Sequence, residues 1–144
     1  MSMKSWIIWK GKDLVVGFLS SHLWPRTSAA ALVIKDEKLL AIDTGDYLML
    51  PGGGLEKGER FEQAAKREAL EETGYRVKIL EKLEQGMNSV GGVEVLFRAE
   101  LLDEKQFHDG NWEGEPVWID IDEIRDKTWR HDRNVKDILK GKQS

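Results

Sequence analysis

The chain contains no cysteine, which excludes a disulfide framework and a thiolate-held metal. Its histidines, His22, His108 and His131, stand too far apart for metal-ligand spacing and read as surface residues. No apolar run approaches the length of a membrane span, and the opening MSMKSWIIWKGKDL lacks the long apolar core of a signal peptide. The expectation is a soluble, cytoplasmic protein without a membrane partner. A net charge of −4 offers no global attraction to nucleic acid. Residues 125–142 carry more Lys and Arg than Asp, a run that reads as a solvated helix face. No linker or repeat interrupts the chain, and 144 residues with 40% hydrophobic content fit one domain with a real core.

What is present is concentrated in residues 52–75, GGGLEKGERFEQAAKREALEETGY. Gly52, Gly53 and Gly54 follow Pro51 and a strand-like run, a pattern that predicts a sharp turn. Residues 60–73 are mostly strong helix formers without internal Gly or Pro, and Gly74 stands where a left-handed C-terminal cap belongs. At 100° per residue, Phe61, Ala64, Ala65, Glu68, Glu71 and Glu72 share one side of that helix. The alanines suit close packing on a sheet, but carboxylates then occupy apolar positions. Like charges at this spacing are unfavourable, and partly buried carboxylates either take up protons or find cations. Glutamates without a basic neighbour therefore point to a metal. Hard oxygen ligands beside a glycine-rich loop suit magnesium, which commonly shares its coordination with substrate phosphates. The substrate class is then a phosphate ester or anhydride.

Gly53, Glu59, Arg67, Glu68, Ala69, Glu71, Glu72, Gly74 and Tyr75 fill every defined position of one pattern. That pattern is glycine, five spacers, glutamate, seven spacers, Arg-Glu, an apolar residue, a spacer, Glu-Glu, a spacer, glycine and an apolar residue. Over these 23 residues the chain resembles the Nudix hydrolase family. The resemblance implies an α/β fold, the Nudix αβα sandwich with a mixed β-sheet, in which the box forms loop, helix and loop over one end of the sheet. It makes Glu68, Glu71 and Glu72 the metal carboxylates, with the backbone carbonyl of Gly52 as a further ligand. Magnesium is the implied cofactor, and manganese can substitute. Gly53, Glu59, Arg67 and Gly74 become structural support, with Glu59 and Arg67 holding the loop against the helix.

The implied chemistry is attack of a metal-activated water on phosphorus, splitting a nucleoside diphosphate linkage. A carboxylate must take the proton. Glu68 or Glu72 could do so from within the box. Family members often use an acidic residue of a later loop, for which Glu113 and Glu115 are the candidates. Arg26, Arg98 and Arg130 are candidates for clamping phosphates, and Trp24, Tyr47, Trp112 and Trp129 for stacking on a base. Subfamily signatures before and after the box are absent, which leaves a generic MutT-like hydrolase acting on nucleoside triphosphates, oxidised ones included. The partner is then a small-molecule nucleotide, and a homodimer is open. The competing class is a non-catalytic Nudix-fold module that senses a nucleotide or binds a protein. Such modules usually have a degraded box, and this one is intact.

Along the chain, apolar runs at 6–9 and 14–19 flank KGKD and predict a β-hairpin, within an N-terminal hairpin and connector over residues 1–27 of a single 1–144 domain. Residues 28–35, 38–44 and 47–50 read as strands, the first two joined by a turn at Asp36 and Glu37. Residues 76–85 and 93–102 read as two more, joined by GMNSVGG as a candidate substrate lid. A strand at 116–121, a helical turn at 122–125 and a helix at 133–140 with Val135, Ile138 and Leu139 facing inward complete the expectation.

Overall fold

A computed structural model of the protein describes residues 27–88, 91–130 and 135–143. The hairpin and connector expected before residue 27, with Trp24 and Arg26, lie outside them, as do His131, Arg133 and Asn134.

Strand β1 (Ser28–Lys35) turns through Asp36 and Glu37, both at positive φ, into β2 (Lys38–Asp43). The short β3 (Leu48–Met49) and β4 (Gly52–Gly54) lead to helix α1 (Phe61–Thr73). Long strands β5 (Tyr75–Met87) and β6 (Val93–Gln106) then form an antiparallel hairpin, and β7 (Glu115–Asp120) runs into a 3-10 turn at Ile121–Asp126. Helix α2 (Val135–Gln143) follows. The sheet runs β3-β2-β1-β6-β5, with β4 added to β1 and β7 to β2. It is mixed, because β1 lies parallel to β6 and antiparallel to β2 and β4.

Alternation along the central strands places the helices on opposite faces. Ala29, Ala31 and Val33 of β1 pack with Ala64, Ala65 and Ala69 of α1, while Ala30 and Leu32 pack with Val135 and Leu139 of α2. Leu96 of β6 belongs to the α2 face, and Val95, Phe97 and Ala99 belong to the α1 face. Fully buried leucines such as Leu32, Leu39, Leu40 and Leu96 each contribute about 2 kcal/mol by transfer from water. The α1 face of β1 is built of small residues, so the helix approaches the sheet closely. The expected αβα sandwich is the observed fold, and Val135 and Leu139 are buried as expected, with Ile138 half-buried.

Two expectations differ from the structure. Gly52, Gly53 and Gly54 form a strand, not a sharp turn: they pair with Ala30, Ala29 and Ser28 of β1, and none has a positive φ. The strands also reach further into GMNSVGG than expected. Gly86 and Met87 stay in register with Glu94 and Val93. Asn88 then closes a turn, donating its N–H to the Gly92 carbonyl at 2.7 Å and accepting the Gly91 N–H at 3.1 Å. Its side chain accepts the Gly92 N–H at 2.8 Å and donates to the Ser28 hydroxyl at 3.2 Å. Ser89 and Val90, between these ties, are outside the described residues.

Candidate active site

Close approach explains the glycines of β4. A Cβ on Gly52 would stand 2.6 Å from the Ala29 carbonyl oxygen, and one on Gly53 would stand 2.7 Å from the Glu68 carboxyl. The strand thus lies against the sheet on one side and the helix on the other. At the far end of α1, Gly74 adopts φ 80 and donates its N–H to the Leu70 carbonyl at 2.9 Å, which ends the helix with a left-handed cap.

Arg67 overturns the expectation that the glutamates lack a basic partner. Its Nε donates to Glu59 Oε2 at 2.8 Å, and one terminal nitrogen reaches Glu59 Oε1 and the Gly54 carbonyl, each at 2.9 Å. The other terminal nitrogen donates to Glu68 Oε1 at 2.7 Å and Glu71 Oε1 at 3.1 Å. Glu59 Oε1 also accepts the Glu56 N–H at 2.9 Å. Arg67 therefore ties the loop before the helix, strand β4 and the helix together. Its hydrogen bond lowers the Glu59 pKa, and the same bond raises that of Arg67.

Glu71, expected on the buried side, is 54% exposed at its side chain. Ala69 is buried in its place. The reason is angular: the buried face centres on Ala65 and Glu72, and Glu71 lies one step of about 100° from Glu72. Glu72 is the opposite case, 1% exposed. Its Oε1 accepts the Gly52 N–H at 2.8 Å, and no ion pair reaches it among the described residues. Burial pushes its pKa well up, the nearby Glu68 and Glu113 carboxylates push the same way, and the Gly52 N–H opposes them. Burial raises Glu68 as well, against Arg67.

Glu113 separates from Glu115 here. The Glu113 carboxylate stands close enough to Glu72 and Glu68 to raise both. Glu115 is exposed and pairs with Asp43 at the start of β7. The loop before Glu113 is held down on the helix: Phe107 donates its N–H to the Gly74 carbonyl at 2.7 Å, and a Cβ on Gly110 would stand 2.8 Å from the Glu72 carbonyl oxygen. Asn111 was not singled out from the sequence. Its Oδ1 accepts the Glu113 N–H at 2.9 Å, the turn an Asn two residues ahead favours.

The other candidates are not gathered here. Arg98 donates to Glu81 of β5 at 2.8 and 3.0 Å. Tyr47, half-buried, closes a turn by accepting the Thr44 N–H at 3.0 Å through its carbonyl. Trp129 donates its indole N–H to the Ile124 carbonyl at 3.0 Å and packs on the α2-side core. Arg130 approaches the Met49 sulfur at 3.8 Å. His108 is exposed and accepts the Gly110 N–H at 3.0 Å. Trp112 is 87% exposed beside Glu113.

The donor set fits a hard divalent cation by charge: Glu72, Glu68 and Glu113 crowd carboxyl oxygens into a partly buried space that lacks a matching positive charge at Glu72. Gly52 meets this group through its N–H. Among the described residues no three acidic or histidine side chains already stand at ligand spacing, since Glu68 and Glu71 are turned to Arg67.

A family model of the NUDIX domain matches residues 24–138. An oxidized purine nucleoside triphosphate hydrolase of Danio rerio is 40% identical over 83 residues, covering 51% of this chain and 49% of that protein. The chain thus spans about half the length of this curated relative. A NUDIX hydrolase crystal structure from Nitrosomonas europaea superposes with a TM-score of 0.67 at 29% identity, covering 81% of this chain and 68% of the other. An ADP-ribose pyrophosphatase from Streptococcus suis shares the fold, with a TM-score of 0.69 at 18% identity, covering 84% of this chain and 94% of the other. No described helix is long and apolar enough to cross a membrane.

Proposed function

The chain belongs to the NUDIX family, and from that premise we propose that it hydrolyses a phosphoric anhydride linkage in a nucleotide with magnesium, or manganese in its place. Nucleoside triphosphates, oxidised ones included, are the substrate class. The observation that carries this reading is the burial of Glu72 against Glu68 and Glu113 on an intact box. Burying like charges destabilises the fold unless a cation is to be held. Glu68, Glu72 and the Gly52 carbonyl would hold it, with Glu71 as a further carboxylate on the exposed side. The ion, when bound, neutralises phosphate oxygens and polarises the attacking water.

The chain's own residues then have separate tasks. Arg67 fixes Glu59, Glu68 and β4 relative to the helix, so it is a positioning residue. The Gly52 N–H holds one oxygen of Glu72, which sets the direction of the other. Glu113 takes the proton as water adds to phosphorus and the anhydride P–O bond breaks, leaving the two phosphate products. Glu115 has no part in this.

A screen of nucleoside triphosphates and nucleoside diphosphate conjugates with magnesium, reading released phosphate and pyrophosphate, tests the proposal. Turnover that disappears in Glu72→Gln supports it. Nucleotide binding by folded protein without turnover of any of these compounds would place the chain among binding modules instead.

A further inference from the structure

Helix α1 covers only part of its face of the sheet. Between the start of that helix and the β5–β6 hairpin lies an open groove of about 560 Å³, with Phe61, Ile79, Leu80, Val95 and Phe97 as its apolar lining. Side chains two apart on a strand share a face, so Val93 continues the line of Val95 and Phe97, and Met87 stands directly opposite Val93. Val95 and Phe97 are 3% and 5% exposed, but Val93 is 39% and Met87 78% exposed. The apolar stripe therefore runs out of the groove into solvent. It is separate from the carboxylates: Phe61 begins α1, and Glu72 stands roughly 16 Å further along the helix axis.

The chain itself arrives at the open end of this stripe. Ser28 pairs in parallel with Glu94, so Thr27 before it comes to the rung of Val93. The Thr27 carbonyl accepts the Leu55 N–H at 3.1 Å, and Leu55 packs on the same cluster as Phe61 and Ile79. Residues 1–26 precede Thr27, outside the described residues, and hold the apolar runs WIIW at 6–9 and LVVGFL at 14–19. From Thr27 back to Leu19 an extended chain spans up to about 27 Å, whereas the stripe from Val93 to Phe97 is about 13 Å long. Reach is no obstacle. The hairpin expected from these runs also needs such a surface, because an isolated two-stranded hairpin is marginal in water.

We propose that this face, from Phe61 to Met87, is the docking surface for the chain's own residues 6–19, whose apolar runs fill the groove and cover Val93 and Met87.

The chain has no cysteine, so introduced cysteines report on the surface without background. Met87→Cys is labelled with a maleimide in the full chain, alone and combined with Ile7→Asp and Ile8→Asp. Glu123→Cys, exposed on the α2 side, is the reference, and circular dichroism first shows every variant folded. Met87→Cys is expected to react at least about tenfold more slowly than Glu123→Cys, and the two aspartates are expected to abolish that protection without altering the reference. A second measurement leaves the apolar runs intact. A short bismaleimide joins Gly17→Cys to Gln85→Cys in a product of monomer mass and leaves Gly17→Cys with Glu123→Cys unjoined. Labelling of Met87→Cys as fast as the reference, or joining to both sites alike, overturns the proposal. A product of dimer mass, with protection lost on dilution, assigns the groove to a second copy and overturns it equally.

Discussion

The Gly52 N–H donates to Glu72 across 2.8 Å, so a strand residue and the end of the box helix meet at a carboxyl that is 1% exposed. The raised pKa of Glu72, caused first by burial, fixes the sign of its pH dependence. A carboxyl raised in the folded state contributes stability that is complete below its ordinary value of 4.5 and is lost as pH rises through the folded value. Glu72→Gln keeps the oxygen for Gly52 and removes the charge. Metal-free Glu72→Gln is expected to have a higher Tm than metal-free wild type at neutral pH, with the two converging toward pH 4. Melting curves in chelator across this range check it, and a less stable variant at neutral pH would contradict it.

Arg67→Ala removes the donor shared by Glu59, Glu68, Glu71 and the Gly54 carbonyl. A loss of about 2 kcal/mol in unfolding free energy is expected, together with lower activity. Glu59, whose pKa the Arg67 bond lowers, contributes stability present above its ordinary value and lost as pH falls through its folded value. That acid-side loss is shallower in the variant. Urea titrations at two acidic pH values read both effects; unchanged stability with abolished activity would move Arg67 into the reacting machinery.

Gly52 and Gly53 differ in what an added methyl meets. In Gly52→Ala it meets backbone, the Ala29 carbonyl oxygen, which cannot yield without moving β1. In Gly53→Ala it meets the mobile end of Glu68. The first is expected to cost about 1–3 kcal/mol of stability. The second should leave Tm near the wild-type value and reduce turnover by displacing Glu68. Similar Tm losses in both would refute the distinction.

Glu113→Gln is expected to lower kcat about 100-fold with KM little changed, whereas Glu115→Gln stays near wild type. Steady-state kinetics of both, with the double variant, decide it. Full activity in Glu113→Gln would return the proton to Glu68 or Glu72.

The helix, its cap at Gly74 and most strands were readable because they follow from local propensity and period. The role of Gly52 and Gly53 was not, since it depends on Ala29 and Glu68, which only the folded sheet brings beside them. Arg67 and Glu71 stand at i,i+4 spacing, a pairing legible in the sequence, whereas the bonds of Arg67 to Glu59 and Gly54 depend on how the loop folds back. Glu113 and Glu115 look equivalent in the sequence, because the fold of the turn at Asn111 decides which one faces the helix. Nothing local distinguishes the exposed Trp112 from the packed Trp118 and Trp129 either.

Whether the box carboxylates around the buried Glu72 hold a divalent cation for hydrolysis of a nucleotide anhydride is read from turnover of the best substrate before exhaustive chelation, after it, and after magnesium is restored, in the wild type and Glu72→Gln. Wild-type turnover is expected to vanish on chelation and return with magnesium, while Glu72→Gln stays at least about 100-fold slower throughout. Hydrolysis that survives chelation, or a folded Glu72→Gln at the wild-type rate, would contradict it.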